Sequence, residues 1–96
     1  MPFKTTNKDM QLTKAEFAKR LPRALDGYAW ESTATGYCAM HEGRAIEIDV
    51  EEMEPRRIAL IVLPRCSVSF RFDGFTEDEQ RTFMNRFNRI FQKGGG

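Results

Sequence analysis

The sequence predicts an α+β domain of two layers, an antiparallel β-meander of four to five strands with N- and C-terminal helices packed on one face. Three observations carry that prediction. Two capping boxes, Thr13 with Glu16 and Thr76 with Glu79, each open a stretch of apolar residues at helical spacing. Between them, β-branched and aromatic residues alternate with polar ones and are broken by short turn signals. The hairpin registers implied by those turns bring the apolar residues to one side of a sheet.

Taking the elements in order, residues 1–11 read as a polar N-terminal arm. Thr13 caps the first helix, whose Phe17, Leu21 and Leu25 recur every four residues. Pro22 should kink this helix or end its first part, since proline lacks the N–H that a helix interior needs. Gly27 is a natural stop. Strands are expected near 28–32, 37–41, 44–51, 57–63 and 66–72, separated by Thr33-Ala34-Thr35-Gly36, Glu42-Gly43, Met53-Glu54-Pro55-Arg56 and Pro64-Arg65. The second helix begins at the Thr76 box. Its Phe83, Met84, Phe87, Ile90 and Phe91 follow the i, i+4, i+7, i+8 pattern, with Gly94 as its cap and residues 94–96 as a flexible glycine tail.

The four short connections make consecutive strands antiparallel. A Glu42-Gly43 turn sets Tyr37 opposite Ile48 and Ala39 opposite Ile46. A loop at 53–56 would set Ile46, Ile48 and Val50 opposite Leu63, Ile61 and Ala59, and a Pro64-Arg65 turn would set those three opposite Cys66, Val68 and Phe70. The other face then carries Glu31, Cys38, Met40, Glu47, Asp49, Glu51, Ser67, Ser69 and Arg71, together with an aliphatic row of Ile58, Leu60 and Val62. A strand apolar on both sides has something against both sides. With both helices spent on the front, Met40, Ile58, Leu60 and Val62 become the candidate interface.

The chain has 96 residues, the size of one domain, so 1–96 reads as a single unit. Its 15 basic and 14 acidic residues nearly cancel, which gives no global attraction to nucleic acid or to anionic membrane. No signal peptide or membrane-spanning apolar run is visible. Cys38 and Cys66 are too few for a disulfide framework, so free thiols in the cytoplasm are expected.

The groups that could carry chemistry read as structural. His41 is the single histidine and sits beside a turn, with no nucleophile or carboxylate placed to complete a triad. Cys38 is flanked in register by Glu31 and Glu47, which disfavour its thiolate. Glu47, Asp49 and Glu51 point one way but lie about 7 Å apart per step, too far to share one ion. No cofactor, metal or catalytic residue is therefore expected. Arg81, Arg86, Arg89 and Lys93 form a candidate basic patch on the last helix, an alternative surface for nucleic acid. Without aromatic platforms beside them, such cations also simply complement the helix dipole. The Gly94-Gly95-Gly96 ending suggests a second alternative, a carrier with a C-terminal diglycine, although in those proteins the tail follows a strand rather than a helix.

The stretch Arg56-Arg57-Ile58-Ala59-Leu60 through Leu63-Pro64-Arg65, then Phe70-Arg71-Phe72 and the ending Phe91-Gln92-Lys93-Gly94-Gly95-Gly96, resembles a group of small uncharacterised bacterial single-domain proteins. That resemblance implies a bacterial, cytoplasmic domain and transfers no activity and no site residue. The expectation is a non-enzymatic interaction domain, forming a homodimer or docking a protein partner through the helix-free face of its sheet.

Overall fold

The structure, a computed structural model, describes residues 4–92. The glycine tail and Lys93 lie outside the described residues. The elements run β1 (Lys4–Met10), α1 (Lys14–Ala24), β2 (Ala29–Ser32), β3 (Gly36–His41), β4 (Arg44–Ile58), β5 (Ile61–Asp73) and α2 (Glu77–Gln92). The five strands form one antiparallel sheet in the order β1-β5-β4-β3-β2. The fold is thus the expected α+β architecture, with β2 to β5 as a meander and the helices touching each other.

Both helices begin as their capping boxes dictate. Thr13 Oγ1 accepts from the Glu16 N–H at 3.1 Å while the Thr13 N–H donates to Glu16 at 2.9 Å, and Thr76 with Glu79 repeats the exchange at 3.1 and 2.8 Å. Helix α1 runs through Pro22 to Ala24. The proline falls in the last turn, so its missing N–H forfeits a bond only where the helix is already closing.

The core lies between the helices and one face of the sheet. From α1 it takes Phe17 and Leu21, from α2 Phe83, Phe87 and Phe91, and from the strands Ala39, Ile46, Ile48, Val50, Cys66, Val68, Phe70 and Phe72. These strand residues share one parity in the register: Ala39 opposes Ile46, which opposes Phe72, and Val50 opposes Val68. The Tyr37–Ile48 and Ala39–Ile46 pairs match the sequence expectation.

Two expectations are corrected. The N-terminal arm is a strand, since Thr6, Lys8 and Met10 pair with Phe70, Val68 and Cys66 and cover the outer edge of β5. Its polar composition hides this role, because an edge strand contributes backbone hydrogen bonds more than buried side chains. Secondly, residues 57–63 are not one strand but the ends of two, β4 and β5. They form the far end of one long hairpin that turns at Ala59-Leu60, between the Ile58–Ile61 pair. Consequently Ile46, Ile48 and Val50 oppose Phe72, Phe70 and Val68 rather than Leu63, Ile61 and Ala59. The prolines that resembled turns lie inside the strands. A register shift between Met53 and Arg56 leaves Glu54 and Pro55 facing Pro64, a β-bulge, where residues without a ladder N–H are tolerated.

Candidate functional site

Beyond the body of the sheet the β4–β5 hairpin continues as an arm. Strand β3 ends at the Gly36–Asp49 pair and β1 at the Met10–Cys66 pair, so among the described residues no strand flanks the hairpin from Met53 to Arg65. The described chain is correspondingly elongated, with extents of 47, 25 and 23 Å. The turn forces Ala59 to φ 55°, a left-handed conformation that costs an L-residue about 1 kcal/mol. A glycine, asparagine or aspartate would normally advertise such a turn, and none is present.

The arm ends in aliphatic side chains held in solvent. Leu60 is 99% exposed, and Ile58, Ile61 and Val62 are each more than half exposed. With Met53, also exposed, they leave the end of the arm apolar and in water on both faces. Register divides them. Ile58, Ile61, Leu63, Arg56 and Met53 follow the helix-free parity, Val62 and Arg57 follow the helix-side parity, and Leu60 occupies the tip. The sequence reading therefore found exposed residues but misplaced them: Ile58, Leu60 and Val62 are not a row across the back of the sheet. Met40 is also exposed and lies on that back face, but it pairs with Ala45, on the order of 40 Å from the arm's tip by strand rise. Ile61 and Met53 were missed. The signal available for Ile61 was the unbroken apolar run 58–63 between Pro55 and Pro64; Met53, before that run, had none.

The back of the sheet itself is polar. Arg71 pairs with Glu47, Thr35 Oγ1 donates to Asp49 at 2.7 Å, and Ser69 Oγ donates to Asn7 at 2.8 Å. The arm itself carries Glu54 against Arg56, Arg57 and Arg65, with Glu51 and Glu52 just before its base. Arg65 also reaches Asp9 on β1 at 3.0 Å. Residues 53–65 carry a formal charge of +2, one acidic against three basic side chains.

The candidate basic patch is largely engaged. Arg81 is bound to Asp78 at 2.7 Å, and Arg86 donates to the Arg23 carbonyl at 3.1 Å and faces Asp26 at 3.6 Å. Arg89 is exposed, and Lys93 lies outside the described residues. His41 packs at a tilt against Tyr28, centroids 5.3 Å apart, with Glu42 3.5 Å from Nε2. Burial pushes the Cys66 thiol pKa up, and its Sγ donates to the Leu12 carbonyl at 3.3 Å, so the group is held as a protonated donor. Among the described residues no three His, Cys, Asp or Glu side chains are grouped to hold a metal ion, and no helix is long and apolar enough to cross a membrane. An open groove beside β1 is lined by Met10, Leu12, Arg20, Asn88 and Phe91, with Arg20 donating to the Phe91 carbonyl at 3.2 Å. No family model, curated protein or solved structure matches the chain.

Proposed function

We propose that this protein is a self-associating interaction domain that works by binding rather than catalysis, and that its contact surface is the β4–β5 arm. The observation that carries the reading is Leu60, 99% exposed at the tip of a two-stranded arm whose neighbours Ile58, Ile61 and Val62 are more than half exposed. Holding such side chains in water costs free energy that burial against a partner recovers. The aliphatic end of the arm favours a protein partner over a polyanion, because a polyanion is held by cations and leaves Ile58, Leu60, Ile61 and Val62 in water. A second copy is the simplest such partner, because one patch serves both sides of a two-fold contact.

Leu60→Asp tests the reading. Leu60 is almost wholly exposed, so the fold should tolerate the change within about 0.5 kcal/mol. Sedimentation equilibrium of the wild type should show a dimer whose population falls on dilution, and the variant should remain a monomer with an unchanged circular dichroism spectrum. A wild type that stays monomeric at the highest soluble concentration overturns the proposal.

A further inference from the structure

The outer edge of β4 is open along the arm. Beyond Val50, whose N–H donates to the Thr35 carbonyl at 3.0 Å, no described strand lies against it. Residues 53–58 on that edge read Met-Glu-Pro-Arg-Arg-Ile. Set antiparallel to a second copy about an axis between Pro55 and Arg56, the segment matches itself. Met53 meets Ile58 and Glu54 meets Arg57, and the two-fold symmetry makes each contact twice.

In a regular strand this match would fail. Met53 and Ile58 are an odd number of residues apart, as are Glu54 and Arg57, so each pair would point to opposite faces. The bulge removes the conflict. Met53 opposes Arg65 and Ile58 opposes Ile61, an even step along β5, which places both on the helix-free side. Glu54, facing Pro64 in the bulge, and Arg57, facing Val62, share the other side. The extra residue in β4 is what makes the segment complementary to itself on both faces.

We infer that a second copy joins along the outer edge of the β4 arm in this register, with Glu54 against Arg57 and Met53 against Ile58 across the two-fold axis. The inference rests on the proposal that the arm is the self-association surface. Pro55 offers no N–H beside the axis, so the side-chain matches, rather than an unbroken backbone ladder, select the register. In the same register Leu60 of each copy reaches the level of Glu51 in the other.

The test uses charge reversal. Arg57→Glu and Glu54→Arg each create like-charge contacts at both symmetry-related positions, and each variant alone should dimerise about tenfold more weakly than wild type. An equimolar mixture of the two should form a heterodimer of wild-type affinity, identified by native mass spectrometry, because every contact is again acid against base. The double variant Glu54→Arg with Arg57→Glu should recover homodimerisation. Single variants that dimerise like wild type, or a mixture showing only statistical exchange, overturn this register. If Leu60→Asp abolishes the dimer while the charge variants leave it intact, the arm remains the contact surface and only the register falls. A monomeric wild type removes both.

Discussion

Phe70 of β5 and Phe87 of α2 meet edge to face with ring centroids 4.9 Å apart, and both are fully buried. This contact joins the helical layer to the sheet at the centre of the core, where Phe87 also stacks on Phe91 at 4.3 Å. Truncating either ring loses its transfer free energy and leaves a cavity. Phe70→Ala and Phe87→Ala should each cost about 3–5 kcal/mol in urea unfolding. Because the rings touch, the double variant should lose measurably less than the sum of the single losses.

Of the described glycines, Gly36 should prove the least replaceable. A Cβ there would collide with the carbonyl oxygen of Ile48 across the β3–β4 pair, and backbone cannot step aside as a side chain can. Gly36→Ala should therefore cost about 3 kcal/mol or more. Gly43, at φ 79° with open space around it, is the control. Its replacement by alanine incurs only the left-handed backbone cost of about 1 kcal/mol. Equal losses at the two sites in denaturant titrations would contradict the steric argument.

Acid should weaken the start of α2. The backbone N–H of Thr76 donates to Glu79 and holds its carboxyl pKa below the ordinary value, with Arg44 at 3.2 Å adding to the effect. A carboxyl whose pKa is depressed by folding stabilises the fold above its unfolded pKa. That contribution is lost as pH falls through the depressed value. The melting temperature of wild type should therefore exceed that of Glu79→Gln at neutral pH and converge on it under strong acid. A gap that persists unchanged into acid would show that the ionised carboxylate is not responsible.

The two thiols should react at different rates. Cys38 is half-buried on the polar back of the sheet, whereas Cys66 is fully buried and donates to the Leu12 carbonyl. A disulfide reagent should label one thiol readily. The second should react only at the rate at which the sheet opens, and Cys38→Ser should leave that slow phase alone. Fast labelling of both would place Cys66 outside the core.

Much of this fold could be read from sequence where a local rule had a single answer. The threonine–glutamate boxes fixed both helix starts, and the Glu42-Gly43 turn, with φ of 50° and 79°, fixed the β3–β4 register. The long hairpin was unreadable for a physical reason. Its true turn uses Ala59 and Leu60, which carry no turn signal, while Pro55 and Pro64 carry strong ones and sit in a bulge. Strand β1 escaped notice because its pairing is backbone chemistry with a distant segment. Ile58, Leu60 and Val62 were singled out as an aliphatic row on the back of an expected strand, but their true place depended on a turn no local rule announces.

The place of β1 also governs the order in which the sheet can be completed. Strands β2 to β5 are joined by short connections and can close as local hairpins. Lys4 pairs with Phe72, by contrast, and Met10 with Cys66, across almost the whole chain. Contacts between such remote segments carry the largest loop-closure cost and so form late. On a ribosome adding about 5–20 residues per second, β1 waits several seconds before its partner strand exists. Until then it is a solvated polar ribbon, and a composition rich in Thr, Lys, Asn and Asp keeps it soluble during that interval. Until β1 docks, β5 in turn presents an open edge, so the newly made chain is most vulnerable to mispairing just before its first strand arrives last.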